Sequence, residues 1–274
     1  MAMATSAMGA DRRTWPGRAG GGSCYDLRVH RPEYRPAAYW TERLERAFDE
    51  QGVGCVDYDR AYNRWLYRAK ARTLERALAL TGPPGDVLDV GSGTGWVVAV
   101  LLAHGGRVQG CDITQLSVER LRARHPGLAF FRVELGAQPL PHPDASFDTV
   151  TMLDVAYHIT EEAHWRAAVG EVARVLRPGG RLVVTDGLGD GDRTPASHVR
   201  FRGLGAWNAA AAHAGLVLEQ RFAAFRWLSR DAGLRGWRRL PGAARGAVEY
   251  ALERTVPRTP HQRCAVFRRS RTSR

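Results

Sequence analysis

From Pro36 onward the apolar positions fall at helical intervals. Tyr39, Trp40, Leu44, Ala47 and Phe48 recur three and four residues apart, as do Tyr62, Trp65, Leu66, Ala69, Thr73, Leu74, Ala77 and Leu78. Two helices are expected. Gly82-Pro83-Pro84-Gly85 ends the second, because neither proline can continue it and glycine supplies the turn. Short apolar runs then alternate with longer amphipathic ones. They predict strands at 86–90, 107–112, 128–134, 147–153 and 180–186, with helices near 95–104, 115–125 and 161–176. A helix near 203–214, a strand near 216–225, a helix near 243–255 and a strand near 263–269 complete the series. Alternating strand and helix imply an α/β protein with a mainly parallel sheet covered on both faces. Residues 1–23, with their GRAGGG run, show no periodicity and are expected to form a disordered tail. The plan is thus a tail at 1–23, a helical extension or lid at 36–82, and one α/β domain at 83–274.

With 274 residues and 44% apolar side chains, the chain can bury a substantial core. No run approaches the ~20 apolar residues of a membrane helix, and the first residues lack the apolar region of a signal peptide. A cytoplasmic protein is expected. Cys24, Cys55, Cys111 and Cys264 are far apart, with no CxxC pair, so neither a disulfide scaffold nor a bound metal is indicated. The net charge of +12 points towards nucleic acid, but Lys70 is the only lysine, which fits a GC-rich genome better than a partner. The charge also sits at the ends: residues 226–274 hold 13 Arg against three acids, and residues 1–35 hold six against three. Trp227, Leu228, Leu234, Trp237 and Leu240 lie among the C-terminal arginines, and packing with solvated charge is the reading preferred over a membrane or nucleic-acid surface.

The segment VLDVGSGTGW (87–96) runs an apolar strand into Gly91, Ser92, Gly93 and Gly95, then into a helix. Glycines allow positive φ and close ligand approach, and the helix start offers free N–H groups. The spacing is GxGxG, with Trp96 where a dinucleotide fingerprint has its third glycine, so a pyrophosphate is the weaker reading. Asp89 would repel phosphate but suits a cationic amino or sulfonium group, and Asp112, ending the second strand, can accept both hydroxyls of a ribose.

VLDVGSGTG, Asp112 in GCDIT, LPHPDASFDTV (140–150) and RVLRPGGRLVVTD (174–186), in this order, resemble a class I S-adenosylmethionine-dependent methyltransferase of the small-molecule type. The resemblance spans about residues 58–225. It implies a Rossmann-like sheet of seven strands with the last antiparallel, S-adenosylmethionine across the carboxyl ends of the first strands, and Asp89 at the methionine amino group. Ile113 would follow the ribose acid. Relatives place an Asp four residues before the LP pair for the adenine amino group, where this chain has Gly136; adenine would then be met by backbone near Leu135 and Gly136, or by Glu134. The second helix would act as a lid, with Tyr62, Arg64 or Arg68 reaching the methionine carboxylate; solvated surface arginine is the alternative.

Methyl transfer is an in-line displacement that needs positioning and exclusion of water, and an alcohol or phenol acceptor also gains from a base. His158, in the LDVAYHIT segment (153–160) after the fourth strand, is the candidate base, the alternative being a histidine that only packs. Asp154 and Tyr157 flank it and could orient the nucleophile. His198, Arg200 and Arg202 follow the fifth strand and could bind an anionic acceptor, or form a surface strand with outward arginines. The function expected is methylation of an oxygen or nitrogen of a small molecule such as a secondary metabolite or sugar. The alternatives are an RNA methyltransferase, opposed by LDVAYH in place of [DN]PP[YF] and by the lack of an RNA-binding module, and a non-catalytic protein retaining the fold.

Overall fold

The computed structural model describes residues 34–229 and 237–271. The expected tail at 1–23, Cys24 and Leu234 lie outside the described residues. The elements are α1 (Pro36–Arg46), α2 (Glu50–Val53), α3 (Arg60–Thr81), β1 (Asp86–Val90), α4 (Trp96–Ala103), β2 (Arg107–Asp112), α5 (Gln115–Arg124), β3 (Phe130–Arg132) and β4 (Phe147–Met152). Next come α6 (Glu162–Val175), β5 (Leu176–Asp186), β6 (Arg193–Ala196), β7 (Val199–Phe201), α7 (Leu204–His213), β8 (Leu216–Phe225), α8 (Gly242–Thr255) and β9 (Gln262–Arg269). Local chemistry sets the ends. The Asp59 side chain accepts from Tyr62 N at the start of α3, and Gly82, at φ +83°, closes that helix.

Seven strands form one sheet in the order β3-β2-β1-β4-β5-β9-β8. Every neighbouring pair from β3 to β5 is parallel, and β9 runs antiparallel to both β5 and β8. The chain winds outward from β1 one way and from β4 the other, so the crevice at their carboxyl ends is where ligands of such sheets bind. Three boundaries differ from the sequence reading. β3 keeps only three residues, because after Val133 N donates to Asp112 O the chain turns and Glu134 N donates to the Gln138 side chain. β5 starts early, since Leu176 pairs with Phe147 ahead of a register shift. Residues 193–201 form a hairpin, β6–β7, outside the main sheet.

Burial on the two faces shows which helices belong to the core. One face packs α6 and α7 on the sheet, with Trp165 and Trp207 edge to face at 5.1 Å. The other buries Leu74, Ala77 and Leu78 of α3 with Val97, Val98 and Leu101 of α4 against Val87, Val183 and Val266. The second half of α3 is therefore part of the sheet's cover, while α1 and α2, with Tyr67 of α3, border the crevice. The basic C-terminal segment packs as well: Arg245 stacks over Tyr58 and Tyr62 at 4.3 and 4.6 Å, and Arg258 over Trp227 at 4.6 Å. Among the described residues no helix is long and apolar enough to cross a membrane.

Candidate functional site

The glycine turn is built by positive backbone angles and by one close approach. Gly91, Gly93 and Gly95 have φ of +72°, +50° and +85°. A Cβ on Gly91 would stand 2.2 Å from Val155 Cγ2, so only glycine lets the loop after β4 come this near. Gly91 N and Ser92 N donate to Cys111 O at 2.8 and 3.0 Å, tying the turn to the end of β2. Asp112 accepts from Gly93 N through Oδ2 and from Thr114 N and Oγ1 through Oδ1, each at 2.8 Å. Burial raises its acid value in spite of these donors.

Above the turn lies a cavity of about 300 Å³. Its walls include Gly91, Ser92, Gly93, Thr94 and Trp96, then Asp112 and Ile113, Val133 to Leu135, and Leu153 to Glu161 without Ala156. Pro36, Trp40 and Leu44 of α1 close it at four-residue spacing, one helical face. Asp89 is the penultimate residue of β1, one residue before Val90 of the wall, and does not itself line the cavity. Its Oδ1 accepts from Thr151 Oγ1 at 2.7 Å, whereas Oδ2 is buried with no hydrogen-bond partner. At 1% exposure, burial pushes this carboxyl up to about 7. A bare buried carboxylate oxygen beside a glycine cradle is what an ammonium-bearing ligand would satisfy, and Asp112 with Ile113 beside it suits a ribose. The residues present therefore fit S-adenosylmethionine.

Gly95 and Gly136 are not on the cavity wall. Gly95 caps α4 in the left-handed conformation against Leu121. Gly136 has φ +94°, and a Cβ there would stand 2.2 Å from the His164 carbonyl oxygen, so a side chain at this position has no room; Leu135 and Glu134 line the cavity instead. Gly136→Asp should consequently restore no adenine contact. It should cost about 2–4 kcal/mol of stability through backbone strain and overpacking, read by chemical denaturation, with cofactor affinity unimproved.

Tyr62 and Arg68 were expected at the methionine carboxylate, and the structure corrects both. Tyr62 is fully buried on the α8 side of α3, where its hydroxyl bonds Glu249 and accepts from Ser229 N. Arg68 is exposed, stacked over Trp65 at 4.4 Å, as Arg64 is also exposed. The face of α3 that reaches the site instead carries Tyr67, edge to face with Trp96 at 5.6 Å, and Lys70 one turn on. Lys70 Nζ lies 2.9 Å from Asp154 Oδ2. Burial alone would pull the lysine down, yet Asp154 and Tyr67 outweigh it and raise it; burial would raise Asp154, yet Lys70, Tyr157 and Gln262 hold it low.

Asp154, at φ +60°, opens the loop after β4 and ties the wall together. It accepts from Tyr157 OH and Gln262 Nε2, both at 3.0 Å, while its own N donates to Thr185 Oγ1 at 2.8 Å. A single 3-10 turn, Ala156–His158, then presents His158. Its Nδ1 bonds the His198 carbonyl at 2.7 Å, and its ring meets Trp40 edge to face at 4.8 Å. Burial, with His198 and Arg43, pushes this imidazole down to about 3. His158, Asp154, Tyr157 and Trp40 also line a second cavity of about 240 Å³, reaching Arg43, His198, Phe225 and Gln262. The three residues chosen after the fourth strand thus stand between two adjoining cavities.

Of the proposed acceptor contacts, only His198 lines a cavity. Arg202 is a correction: it is fully buried, stacked over Trp165 at 4.2 Å, and donates to the carbonyls of Ala156 and Ile159, so it holds the His158 turn from behind. Arg200 is a second correction, ion-paired with Glu162 and Asp192 at 3.2 and 3.3 Å away from both cavities. Among the described residues no cluster of His, Cys, Asp and Glu could hold a metal.

Residues 88–184 match the family described as a methyltransferase domain. The demethylmenaquinone methyltransferase of Thermus thermophilus is 39% identical over 127 residues, 45% of this chain and 54% of that protein. The 27-O-demethylrifamycin SV methyltransferase of Amycolatopsis mediterranei is 38% identical over 110 residues, 38% of this chain and 39% of its own. This chain spans about half the length, or less, of these curated relatives. The fold is that of the Burkholderia thailandensis 1,6-didemethyltoxoflavin-N1-methyltransferase, solved with 1,6-didemethyltoxoflavin and S-adenosylhomocysteine, at TM-score 0.53 and 17% identity over 88% of this chain and 93% of that one.

Proposed function

From the methyltransferase domain matched at residues 88–184, we propose that this chain is a class I S-adenosylmethionine-dependent methyltransferase that methylates an oxygen or nitrogen of a small molecule, with His158 as general base. The observation that carries the reading is the pairing of two cavities across one wall. The first has the glycine cradle and Asp112, with the bare Asp89 oxygen buried behind Val90 of its wall; the second has space and side chains for an acceptor, and His158 borders both. When bound, S-adenosylmethionine supplies a methyl group already activated by its sulfonium sulfur. Asp89 would hold the ammonium, Asp112 the ribose hydroxyls, and Leu135 with Glu134 the adenine end. His158 Nε2 would take the acceptor's proton, while Trp40 and Leu44 exclude water. The names of two relatives, a demethylmenaquinone methyltransferase and a 27-O-demethylrifamycin SV methyltransferase, support a small acceptor.

Calorimetry with S-adenosylhomocysteine tests the cofactor half. Binding at micromolar levels is expected, with affinity rising as pH climbs through about 7, because the ammonium needs Asp89 ionised and that carboxyl has been pushed up to about 7. The bare protein moves the other way. An acid raised on folding makes the folded state hold the extra proton, so stability falls as pH rises from about 4 towards 7. Asp186, also pushed up to about 7 by burial, adds to that slope. Asp89→Ala should weaken S-adenosylhomocysteine at least about tenfold and flatten the binding profile. No binding at millimolar ligand would overturn the reading, and methyl label entering RNA but no metabolite would overturn its substrate class.

A further inference from the structure

The second cavity carries an unbalanced charge, from which we infer that the acceptor is a planar aromatic anion recognised by Arg43. The inference rests on the methyltransferase reading. Five acidic, arginine or lysine side chains line this cavity: Glu42, Arg43, Arg46, Lys70 and Asp154. Four cancel in pairs, Arg46 on Glu42 and Lys70 on Asp154. Arg43 is left over. Its Nη1 donates to the Tyr39 hydroxyl at 3.2 Å and its Nη2 to the Gly54 carbonyl at 2.5 Å, both neutral acceptors. Its guanidinium carbon lies 5.0 Å from the centre of the Trp40 ring and 5.7 Å from that of Tyr39. A guanidinium offers five N–H donors in a planar fork, so the remaining edge suits a carboxylate or phenolate, and partial burial leaves the attraction less screened than at the surface.

The rest of the lining specifies the body of the ligand. Trp40, Tyr157, His158, His198 and Phe225 present flat rings, and the imidazoles of His158 and His198 are nearly parallel, 8° apart at 5.8 Å. A rigid conjugated acceptor fills such a space with good ring contact and little conformational entropy to lose. Arg43 and Trp40 are neighbours on α1, so the helix that closes the cofactor cavity also carries the anion contact. A sequence feature hides this: Arg43 sits in TERLERA among paired charges, where an arginine reads as a solvated helix surface.

Equilibrium binding of 2-naphthoate and its neutral isostere 2-naphthamide to the full chain saturated with S-adenosylhomocysteine tests the inference. The naphthoate should bind at least about tenfold more tightly than the amide. Arg43→Gln should erase that preference by weakening the naphthoate alone, leaving the amide within about twofold and Arg43→Lys retaining part of the preference. Unchanged S-adenosylhomocysteine affinity in both variants verifies that they are folded. Equal affinities in the parent protein, binding of neither probe, or a preference that survives Arg43→Gln would overturn the anionic acceptor. Those outcomes with the cofactor product still bound leave the methyltransferase reading standing, whereas loss of S-adenosylhomocysteine binding by the parent protein strikes that reading itself.

Discussion

Lys70→Met should lower stability by about 3–5 kcal/mol, because it strands a carboxylate in the wall between the two cavities. The side chains of Lys70 and Asp154 are only 10% and 16% exposed and meet at 2.9 Å. Without the ammonium, Asp154 keeps the Tyr157, Gln262 and Thr185 contacts, all neutral, and those cannot replace a charge. The pH dependence distinguishes this cause from a packing defect. In the parent protein Asp154 is held below the usual carboxylate range, so its contribution is present at neutral pH and lost as pH falls through its folded value. In Lys70→Met the carboxyl rises instead, the folded state binds the extra proton, and the variant gains relative to the parent as pH drops to about 4. Urea denaturation at about pH 7.5 and about pH 4.5 should thus show a deficit that shrinks with acid; a deficit independent of pH would refute the charge argument. Lys70→Met/Asp154→Asn should recover all but about 1–2 kcal/mol, since asparagine tolerates the +60° φ at this position.

That ion pair also shows why some of the molecule is legible in its sequence and some is not. The order of strands and helices, the glycine turn and Asp112 could be read directly because each rests on local rules: periodicity, positive φ, a carboxylate at a strand end. The sides of α3 could not. Tyr62 and Tyr67 are five residues apart on one amphipathic helix, and only the arrival of α8, from residues 242–255, decides that Tyr62 faces Glu249 while Tyr67 faces Trp96. Arg202 misled for the opposite reason. It follows an exposed-looking hairpin, yet its guanidinium finds the Trp165 face and two loop carbonyls, a set of partners gathered from 156–165 by tertiary packing. Gly136 was visible as a departure from the family pattern, but its cause, the His164 carbonyl where a Cβ would be, lies in the next helix. Lys70 did carry a signal. In a chain whose other permanently cationic side chains are all arginine, the one lysine is the residue that pairs with Asp154 in the wall between the cavities.

His158→Asn should cut turnover by about 10²–10⁴ while leaving S-adenosylhomocysteine affinity within about threefold. The argument begins with the His198 carbonyl, which can only accept, so Nδ1 carries the imidazole proton and Nε2 carries the lone pair. Asparagine places its amide nitrogen where Nδ1 stands and can still donate to that carbonyl, but it has nothing at the Nε2 position, so the variant removes the basic lone pair and keeps the anchoring contact. With its conjugate acid pushed down to about 3, His158 is neutral throughout the physiological range, and its titration should leave no limb near about pH 6.5 in kcat at saturating cofactor. Such a weak base does not ionise a phenol in advance. As the new bond to carbon forms, the acceptor oxygen becomes strongly acidic, and the proton moves to Nε2 late in the displacement. The variant has no such outlet and turns over only the acceptor that is already ionised. Its rate should therefore climb about tenfold per pH unit until the acceptor's own acid value is reached, so that the defect narrows with rising pH. A parallel pair of pH profiles, with the deficit constant across the range, would reduce His158 to a positioning role; an unchanged kcat would remove it from the chemistry.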